Sequence, residues 1–250
     1  GHAHPKLLKV FHEQSSKLSL TSRAFYTDTL GPYLETITKL SNFDMALPMN
    51  SGAEAVETSI KASRRWAYRT KNVESNKAEI IVADGNFHGR TTTIISFSSD
   101  SNSKDDFGPH TPGFVSVEYG SSEAIEKAIN KNTAAVLIEP IQGEGGIIVP
   151  PENYLPKVRE ICTEHNVLMI MDEIQSGLGR TGKMFAFQHS NIQPDGLILG
   201  KALGGGFMPV SCFLSSKEVM HWMNPGSHGS TFGGNPLAAA IAKRSLELLE

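Results

Sequence analysis

The chain has 250 residues, and its 23 lysines and arginines against 26 aspartates and glutamates give a formal net charge of -3. This near balance argues against a dedicated nucleic-acid-binding protein and against a polybasic membrane protein. With 39% hydrophobic and 20% charged residues, the composition is that of a globular protein. Cys162 and Cys212 fit reduced, buried thiols and not a disulfide framework, which indicates a reducing compartment.

Apolar runs of strand length alternate with helical patterns along most of the chain. The patterns predict strands at 80–83, 114–117, 134–138, 167–171, 197–199 and 210–214, and helices at 53–70, 121–130, 151–165 and 237–250. The polar stretch 100–113 predicts a surface excursion. This alternation predicts an α/β fold in which a mostly parallel central sheet has helices on both faces. No run approaches the ~18 apolar residues that span a bilayer, so we expect no membrane partner.

Three reactive side chains stand at the ends of predicted strands. Glu139 follows one strand, Asp172 follows the next apolar run and Lys201 follows a third. Because open parallel sheets bind ligands beyond the carboxyl ends of their strands, we expect a site there. A desolvated aspartate needs a partner such as a protonated pyridine nitrogen, and a partly buried lysine can act as an amine nucleophile. The alternative for Lys201 is an ordinary lysine with its ammonium group in solvent.

The stretch GLGRTGKM at 177–184 is a competing signal, because it satisfies the dinucleotide pattern G-x-G-x-x-G and nearly satisfies that of a P-loop. Met184 stands where a P-loop needs a hydroxyl to hold magnesium. The glycines do not open a helix directly after a strand, and Asp195 precedes the next apolar run, unlike the ribose-binding acid of a dinucleotide site. A turn-rich loop explains the stretch better, and a NAD-dependent oxidoreductase stays as an alternative.

Two further segments suit an aromatic ligand that carries a phosphate. Ser51 is a candidate N-cap of the helix at 53–70, and the small residues Gly52 and Ala53 leave backbone N–H groups open to an anion. In NFHGR at 86–90, Phe87 can cover the face of a ring and Arg90 can bind a carboxylate at two points. Considered alone, the first segment is an ordinary capped helix, and Phe87 and Arg90 are ordinary surface residues.

The combination of these features predicts a cofactor. An anion site, a ring-nitrogen acid at Asp172 and an amine at Lys201 are the three groups that pyridoxal 5'-phosphate requires. No metal site is predicted.

Six stretches match one enzyme family: SGAEA at 51–55, NFHGR at 86–90, EPIQGEGG at 139–146, MDEIQSGLGRTG at 171–182, GKALGGG at 200–206 and HGSTFGGNPLA at 228–238. On these the sequence resembles the class III, fold-type-I aminotransferases, which use pyridoxal phosphate. The resemblance covers essentially the whole chain. It implies that residues 1–250 form the cofactor-binding large domain, and that the segments near 1–40 and 240–250 lead towards a small domain largely outside the chain.

The resemblance implies how the cofactor would be held. Lys201 would bind it as a Schiff base and shuttle the substrate proton, while Asp172 would keep the pyridine nitrogen protonated. Gln175 would contact the ring hydroxyl, and Phe87 would stack on the ring.

The resemblance also implies a phosphate site shared between two subunits. Ser51, Gly52 and Ala53 would bind the phosphate from within the chain. Ser230 and Thr231 would reach it from the neighbouring subunit, so a homodimer is expected.

For the substrate, the resemblance implies that Arg90 grips the α-carboxylate and that Glu144 helps to decide which end of the substrate reacts. The stretches GHAHP at 1–5 and TSRAFYTDTLGPY at 21–33 resemble the branch of the family that acts on ornithine with 2-oxoglutarate as acceptor. Acetylornithine, 4-aminobutyrate or another ω-amino donor is the alternative within the family, and a catalytically silent scaffold is an alternative outside it. The expected compartment is the cytoplasm, or the mitochondrial matrix in a eukaryote.

Overall fold

The computed structural model describes residues 1–22 and 24–250, so Arg23 of the SRAFY stretch lies outside the described residues. A seven-stranded sheet forms the centre. Its strands are β1 (Met45–Met49), β2 (Glu79–Ala83), β3 (Phe114–Val117), β4 (Thr133–Ile138), β5 (Leu168–Asp172), β6 (Gly196–Leu199) and β7 (Ser211–Ser215), in the spatial order β1-β7-β6-β5-β4-β2-β3. β7 is antiparallel to both of its neighbours, and the other pairs are parallel. The predicted mostly parallel sheet is confirmed.

Helices precede, connect and follow the strands. They are α1 (Pro5–Ser15), α2 (Leu30–Ser41), α3 (Gly52–Arg69), α4 (Thr92–Ile95), α5 (Ser101–Lys104), α6 (Ser122–Ala128), α7 (Tyr154–Glu164), α8 (Lys217–Met220) and α9 (Pro236–Leu249), with 3₁₀ helices at Ala186–Ser190 and Lys201–Gly204. The predicted helix at 151–165 begins late because Tyr154 N–H first closes a turn onto the Pro151 carbonyl. Across the described residues, no helix is long and apolar enough to cross a membrane.

The first strand, β1, was not predicted from the sequence. Its segment MALPM contains Pro48, which has no N–H group to donate to a sheet. β1 tolerates this residue because it is an edge strand that pairs only with β7. Since β1 leads directly into α3, the missed strand positions the N-terminus of that helix beside the sheet.

The core consists of two apolar layers, one on each face of the sheet. Successive side chains of β5 point to opposite faces, so Met169 and Met171 pack in one layer while Leu168 and Ile170 pack in the other. The first layer contains apolar residues of α2, α7 and α9, and the second contains those of α3. The sheet is therefore buried on both faces, as predicted.

The glycine-rich stretch after β5 forms turns and opens no helix. The N–H groups of Leu178 and Gly179 donate to the Met184 carbonyl over 2.7 and 3.3 Å, and no helix begins before Ala186–Ser190. Asp195 accepts from Arg159 Nη1 at 2.6 Å and from Met169 N–H at 2.7 Å, next to the start of β5. Its carboxylate is used in packing α7 against the sheet, and this geometry is not that of a dinucleotide site.

Candidate active site

The carboxyl ends of the parallel strands meet the start of α3 at one cavity of about 190 Å³. Glu139 after β4, Asp172 at the end of β5 and Lys201 after β6 all line it. Seven of the residues predicted to form the site line this cavity: Gly52, Ala53, Phe87, Glu144, Asp172, Gln175 and Lys201. The sheet thus brings together residues that lie far apart in the sequence.

The N-terminus of α3 is closed by a capping box. Ser51 Oγ accepts from Glu54 N–H at 3.2 Å, and Glu54 Oε2 accepts from Ser51 N–H at 2.6 Å. Burial raises the pKa of Glu54, but hydrogen bonds from Ser51 and Asn50 outweigh it, so that the pKa is lowered. The N–H groups of Gly52 and Ala53 have no partner within the helix, and both residues line the cavity. They are available to an anion.

Asp172 is the least exposed carboxylate of the cavity, with 4% of its surface exposed. Its Oδ2 lies 2.7 Å from His88 Nδ1, and its Oδ1 accepts from Ile174 N–H at 3.0 Å. His88 has a fully buried side chain, and its Nε2 has no hydrogen-bond partner among the described residues. Burial lowers the pKa of His88, but the hydrogen bond and charge of Asp172, with the charge of Glu139, raise it overall.

Glu139 is a second buried carboxylate, 7% exposed, that the sequence did not assign to the cofactor or the substrate. Its Oε2 accepts from Phe87 N–H at 3.1 Å and so holds the loop that carries the aromatic ring. Burial raises the pKa of Glu139 to about 7; the nearby Asp172 charge also raises it, whereas His88 and the Phe87 hydrogen bond lower it. In the sequence, Glu139 was marked as a candidate only by its position after the strand that became β4. Asp172 and Lys201 were marked in the same way by their positions at strand ends.

Lys201 lies in the left-handed region with φ of 42°, which is unusual for a residue other than glycine. Such backbone strain concentrates at functional sites. The side chain is exposed, although the sequence left open whether it would be partly buried or in solvent. The reason is that Lys201 lines a second cavity of about 860 Å³ as well as the first.

Gln175 and Glu144 are joined on the cavity wall. Gln175 Nε2 donates to Glu144 Oε1 over 2.9 Å. A Cβ atom built on Gly143 would lie 1.3 Å from Gln175 Oε1, which is far inside contact distance. Glycine at 143 is therefore required for Gln175 to take this position.

The other predicted site residues lie outside this cavity. Ser51 acts as the helix cap, and Arg90 is exposed, with its Cζ 5.5 Å from the centroid of the Phe87 ring. Ser230 Oγ accepts from Asn50 Nδ2 at 2.9 Å, and Thr231 is exposed in a depression that is also lined by residues from 20–22 and 24–34. Within the described residues of one chain, Ser230 and Thr231 do not contribute to the wall that Gly52 forms.

The family model for aminotransferase class-III matches residues 1–250. The chain belongs to the class III aminotransferases. These enzymes depend on pyridoxal phosphate in general. Ornithine aminotransferase of Oceanobacillus iheyensis is 56% identical over 250 residues, which are all of this chain and 63% of that protein. Ornithine aminotransferase 2 of Staphylococcus aureus is 57% identical over 249 residues and is also covered to 63%.

Solved structures of aminotransferases superpose closely on this class III chain. Ornithine aminotransferase from Toxoplasma gondii gives a TM-score of 0.99 at 44% identity, over all of this chain and 59% of that one. Acetylornithine aminotransferase from Elizabethkingia anophelis gives 0.87 at 47% identity, over 99% of this chain and 59% of that one. The backbone is thus closer to the first, while the sequence is slightly closer to the second.

Proposed function

We propose that the protein containing this chain transfers the δ-amino group of ornithine to 2-oxoglutarate, with pyridoxal phosphate as cofactor, giving glutamate 5-semialdehyde and glutamate. The observation that carries the proposal is the meeting of Asp172, Lys201 and the free amides at the start of α3 in one cavity. Relatives named ornithine aminotransferase, at 56 and 57% identity, support the choice of substrate. Residues 1–250 are proposed to form the cofactor-binding large domain.

The chemistry of the cavity wall fits pyridoxal phosphate. Asp172 offers a buried carboxylate to a protonated ring nitrogen, and the Gly52 and Ala53 amides, fixed by the Ser51 cap, offer hydrogen-bond donors to a phosphate. Phe87 offers a ring face. When bound, pyridoxal phosphate supplies an electron sink that eases proton loss from the carbon bearing the amino group.

Side chains of the protein would carry out the remaining steps. Lys201 would hold the cofactor aldehyde and would then take and return the substrate proton at its Nζ. Gln175 would contact the ring hydroxyl through its amide. Its hydrogen bond to Glu144 would hold that carboxylate on the wall of the same cavity.

A second copy of the chain is part of the proposal. Ser230 and Thr231 lie outside the cavity of their own chain, which supports a role in completing the phosphate site of a partner. The protein is then a homodimer with two interdependent sites. A cytoplasmic location is proposed on the bacterial origin of the relatives.

Substrate recognition must accept two different amines, the δ-amine of ornithine in one half-reaction and the α-amine of glutamate in the other. Arg90 would bind the α-carboxylate, since a guanidinium matches a carboxylate at two points. Glu144, a carboxylate on the cavity wall, would discriminate between the two ends of the substrate. The second candidate is N-acetylornithine as donor, which the 47% identity to the Elizabethkingia enzyme supports.

The test uses the complete protein and compares turnover of ornithine and N-acetylornithine. We expect a preference for ornithine; a preference for the acetylated donor would overturn the substrate claim and leave the cofactor chemistry standing. Lys201→Ala should abolish both turnover and the visible absorbance of bound pyridoxal phosphate. The control is Lys183→Ala, because Lys183 is exposed, donates to the Gln188 carbonyl and lies outside the cavity. A dimer that binds no pyridoxal phosphate would indicate a silent scaffold.

A further inference from the structure

Ser211, the first residue of β7, is a buried polar residue for which the proposed reaction has no role. Its surface is 0% exposed, and its Oγ donates to the Ser51 carbonyl over 2.6 Å. Ser51 is the residue that caps α3. A fully buried hydroxyl on the sheet therefore holds one backbone atom at the start of the helix whose amides line the cavity.

The direction of β7 brings this hydroxyl to the right edge of the sheet. β7 is antiparallel to β6, so that its first residues lie beside the carboxyl end of β6, where Cys212 pairs with Leu199. On the other side, Ser211 pairs with Met49, the last residue of β1. In a parallel strand, the first residue would lie at the opposite edge, away from α3.

The Ser51 carbonyl belongs to the same peptide unit as the N–H group of Gly52. Among the described residues, the only cis peptide bond joins Gly108 to Pro109, so the unit between Ser51 and Gly52 is trans. In a planar trans peptide, the C=O and N–H bonds point in opposite directions. A donor that fixes the direction of the Ser51 carbonyl therefore also fixes the direction of the Gly52 N–H.

The same peptide unit is also packed closely from the side of the sheet. A Cβ atom built on Gly52 would lie 2.8 Å from Ile174 Cδ1, and one built on Gly200 would lie 3.3 Å from Ile174 Cγ2. Ile174 therefore limits how the backbone at Gly52 can turn. A hydrogen bond to the carbonyl of a peptide polarises the whole unit and makes its N–H a stronger donor.

We propose that Ser211 is a positioning residue that directs and polarises the Gly52 N–H for the phosphate group of the cofactor. The Gly52 N–H has no partner within α3, and Gly52 lines the cavity, whereas Ser211 does not. Ser211 thus acts only through the peptide unit between Ser51 and Gly52. The inference rests on the proposed function, because the phosphate site at the start of α3 does.

The same strand provides a matched control. Ser215, at the other end of β7, is also 0% exposed, and its Oγ donates to the Asp195 carbonyl over 2.5 Å. Ser215 pairs with Gly196, the first residue of β6, so it lies at the edge of the sheet opposite to the cavity. Ser211→Ala and Ser215→Ala each remove one buried hydroxyl and one bond to a backbone carbonyl.

The experiment titrates the complete apoprotein with pyridoxal phosphate, with pyridoxal, which lacks the phosphate, and with inorganic phosphate. In Ser211→Ala, the Kd of pyridoxal phosphate and that of inorganic phosphate should rise by roughly three- to tenfold, while that of pyridoxal stays within about twofold. Ser215→Ala should lower the Tm by a similar amount and leave the ratio of the pyridoxal and pyridoxal phosphate affinities unchanged. An unchanged ratio in Ser211→Ala, or the same change in both variants, overturns the proposal.

A second variant, Ser211→Cys, covers the case in which the alanine variant does not fold. A thiol resembles a hydroxyl in shape but is a weak donor. The affinity ratio should therefore lie between the ratios of the unaltered protein and Ser211→Ala. A ratio equal to that of the unaltered protein contradicts the proposal.

A measurement on the unaltered apoprotein requires no substitution. Labelling serine carbonyls with ¹³C and glycine nitrogens with ¹⁵N marks, within these 250 residues, the peptide units Ser51–Gly52 and Ser176–Gly177. Inorganic phosphate should shift the carbonyl and amide signals of Ser51–Gly52 together. Gly177 is the reference, because its N–H already donates to the Glu173 carbonyl over 3.0 Å. An unmoved Ser51–Gly52 signal overturns the inference, whereas the proposed function fails only if the unaltered protein binds no pyridoxal phosphate.

Discussion

Lys61 on α3 donates from Nζ to His228 Nδ1 over 2.9 Å, and the opposite ring nitrogen, Nε2, lies 2.8 Å from Thr58 Oγ1. Because an ammonium group can only donate, His228 must accept at Nδ1 and carry its hydrogen on Nε2. The contact ties the segment before Ser230 to the helix that begins at Gly52. Two parts of the proposed phosphate site are thereby linked through one neutral imidazole.

This pairing predicts a loss of stability in acid. Burial and then the Lys61 charge lower the pKa of His228, against the smaller opposing effects of Glu57 and Glu54. The folded chain thus binds fewer protons at this site than the unfolded one, and stability is lost as the pH falls below about 6.5. The drop in Tm between pH 7.5 and 5.5 should be smaller in His228→Gln. The exposed His110→Gln is the control, and equal drops in both variants would contradict the assignment.

Glu139 predicts a dependence of stability on pH that is opposite in sign to that of His228. Its pKa is raised to about 7, so the contribution of the neutral acid is present at low pH and is lost as the pH rises through about 7. In the apoprotein, Glu139→Gln should gain stability over the unaltered chain on going from pH 5.5 to 8.5, by on the order of 2 kcal/mol. Denaturant unfolding at both values measures this. The exposed Glu152→Gln should show no such gain.

The cap of α3 should matter for the cofactor as well as for stability. Ser51 Oγ and Ser121 Oγ each accept one N–H at 3.2 Å, from Glu54 and Ala124 respectively. Either serine to alanine should cost about 1 kcal/mol of unfolding free energy. Only Ser51→Ala should also weaken pyridoxal phosphate binding, by several-fold, because α6 lies away from the cavity. Equal effects of the two changes on cofactor affinity would remove α3 from the phosphate site.

Arg90 should affect the substrate and not the cofactor. Replacing the guanidinium by an amide in Arg90→Gln removes a charged hydrogen bond of about 1.5–3 kcal/mol, which corresponds to roughly a ten- to hundredfold rise in KM for the amino acid. Cofactor affinity should stay within twofold of the original. Arg69→Gln, at the exposed end of α3, serves as the control. An unchanged KM in Arg90→Gln would exclude Arg90 from substrate binding.

The sequence was sufficient to predict that Asp172 and Lys201 share a site. Alternating strands and helices imply a parallel sheet, and such sheets place the residues after their strands on one edge. The direction of β7 was not accessible in this way, because an apolar run reads the same in a parallel and an antiparallel strand. β1 was missed because Pro48 is compatible with a strand only at the edge of a sheet. Which strand lies at the edge depends on the order of all the strands, which a local sequence pattern does not give.

The contacts around Asp172 could not be predicted because they depend on distant parts of the chain. His88 and Asp172 are separated by 84 positions, and their contact requires β2, β4 and β5 to be in register. The exposure of Lys201 stayed open at the level of the sequence for a similar reason, because exposure depends on the cavities on either side of the residue. Local patterns identify candidate groups but do not give their neighbours.

The close approach of Gly143 to Gln175 also constrains how the sequence can change. Any side chain at 143 collides with the amide at 175, so the two positions cannot vary independently while the amide keeps its bond to Glu144. In relatives that carry a larger residue at the first position, the side chain at the second should be shorter or should turn away from Glu144. Covariation between these two columns in an alignment of homologues would then trace an enzyme lineage in which the wall beside the cofactor ring was rebuilt.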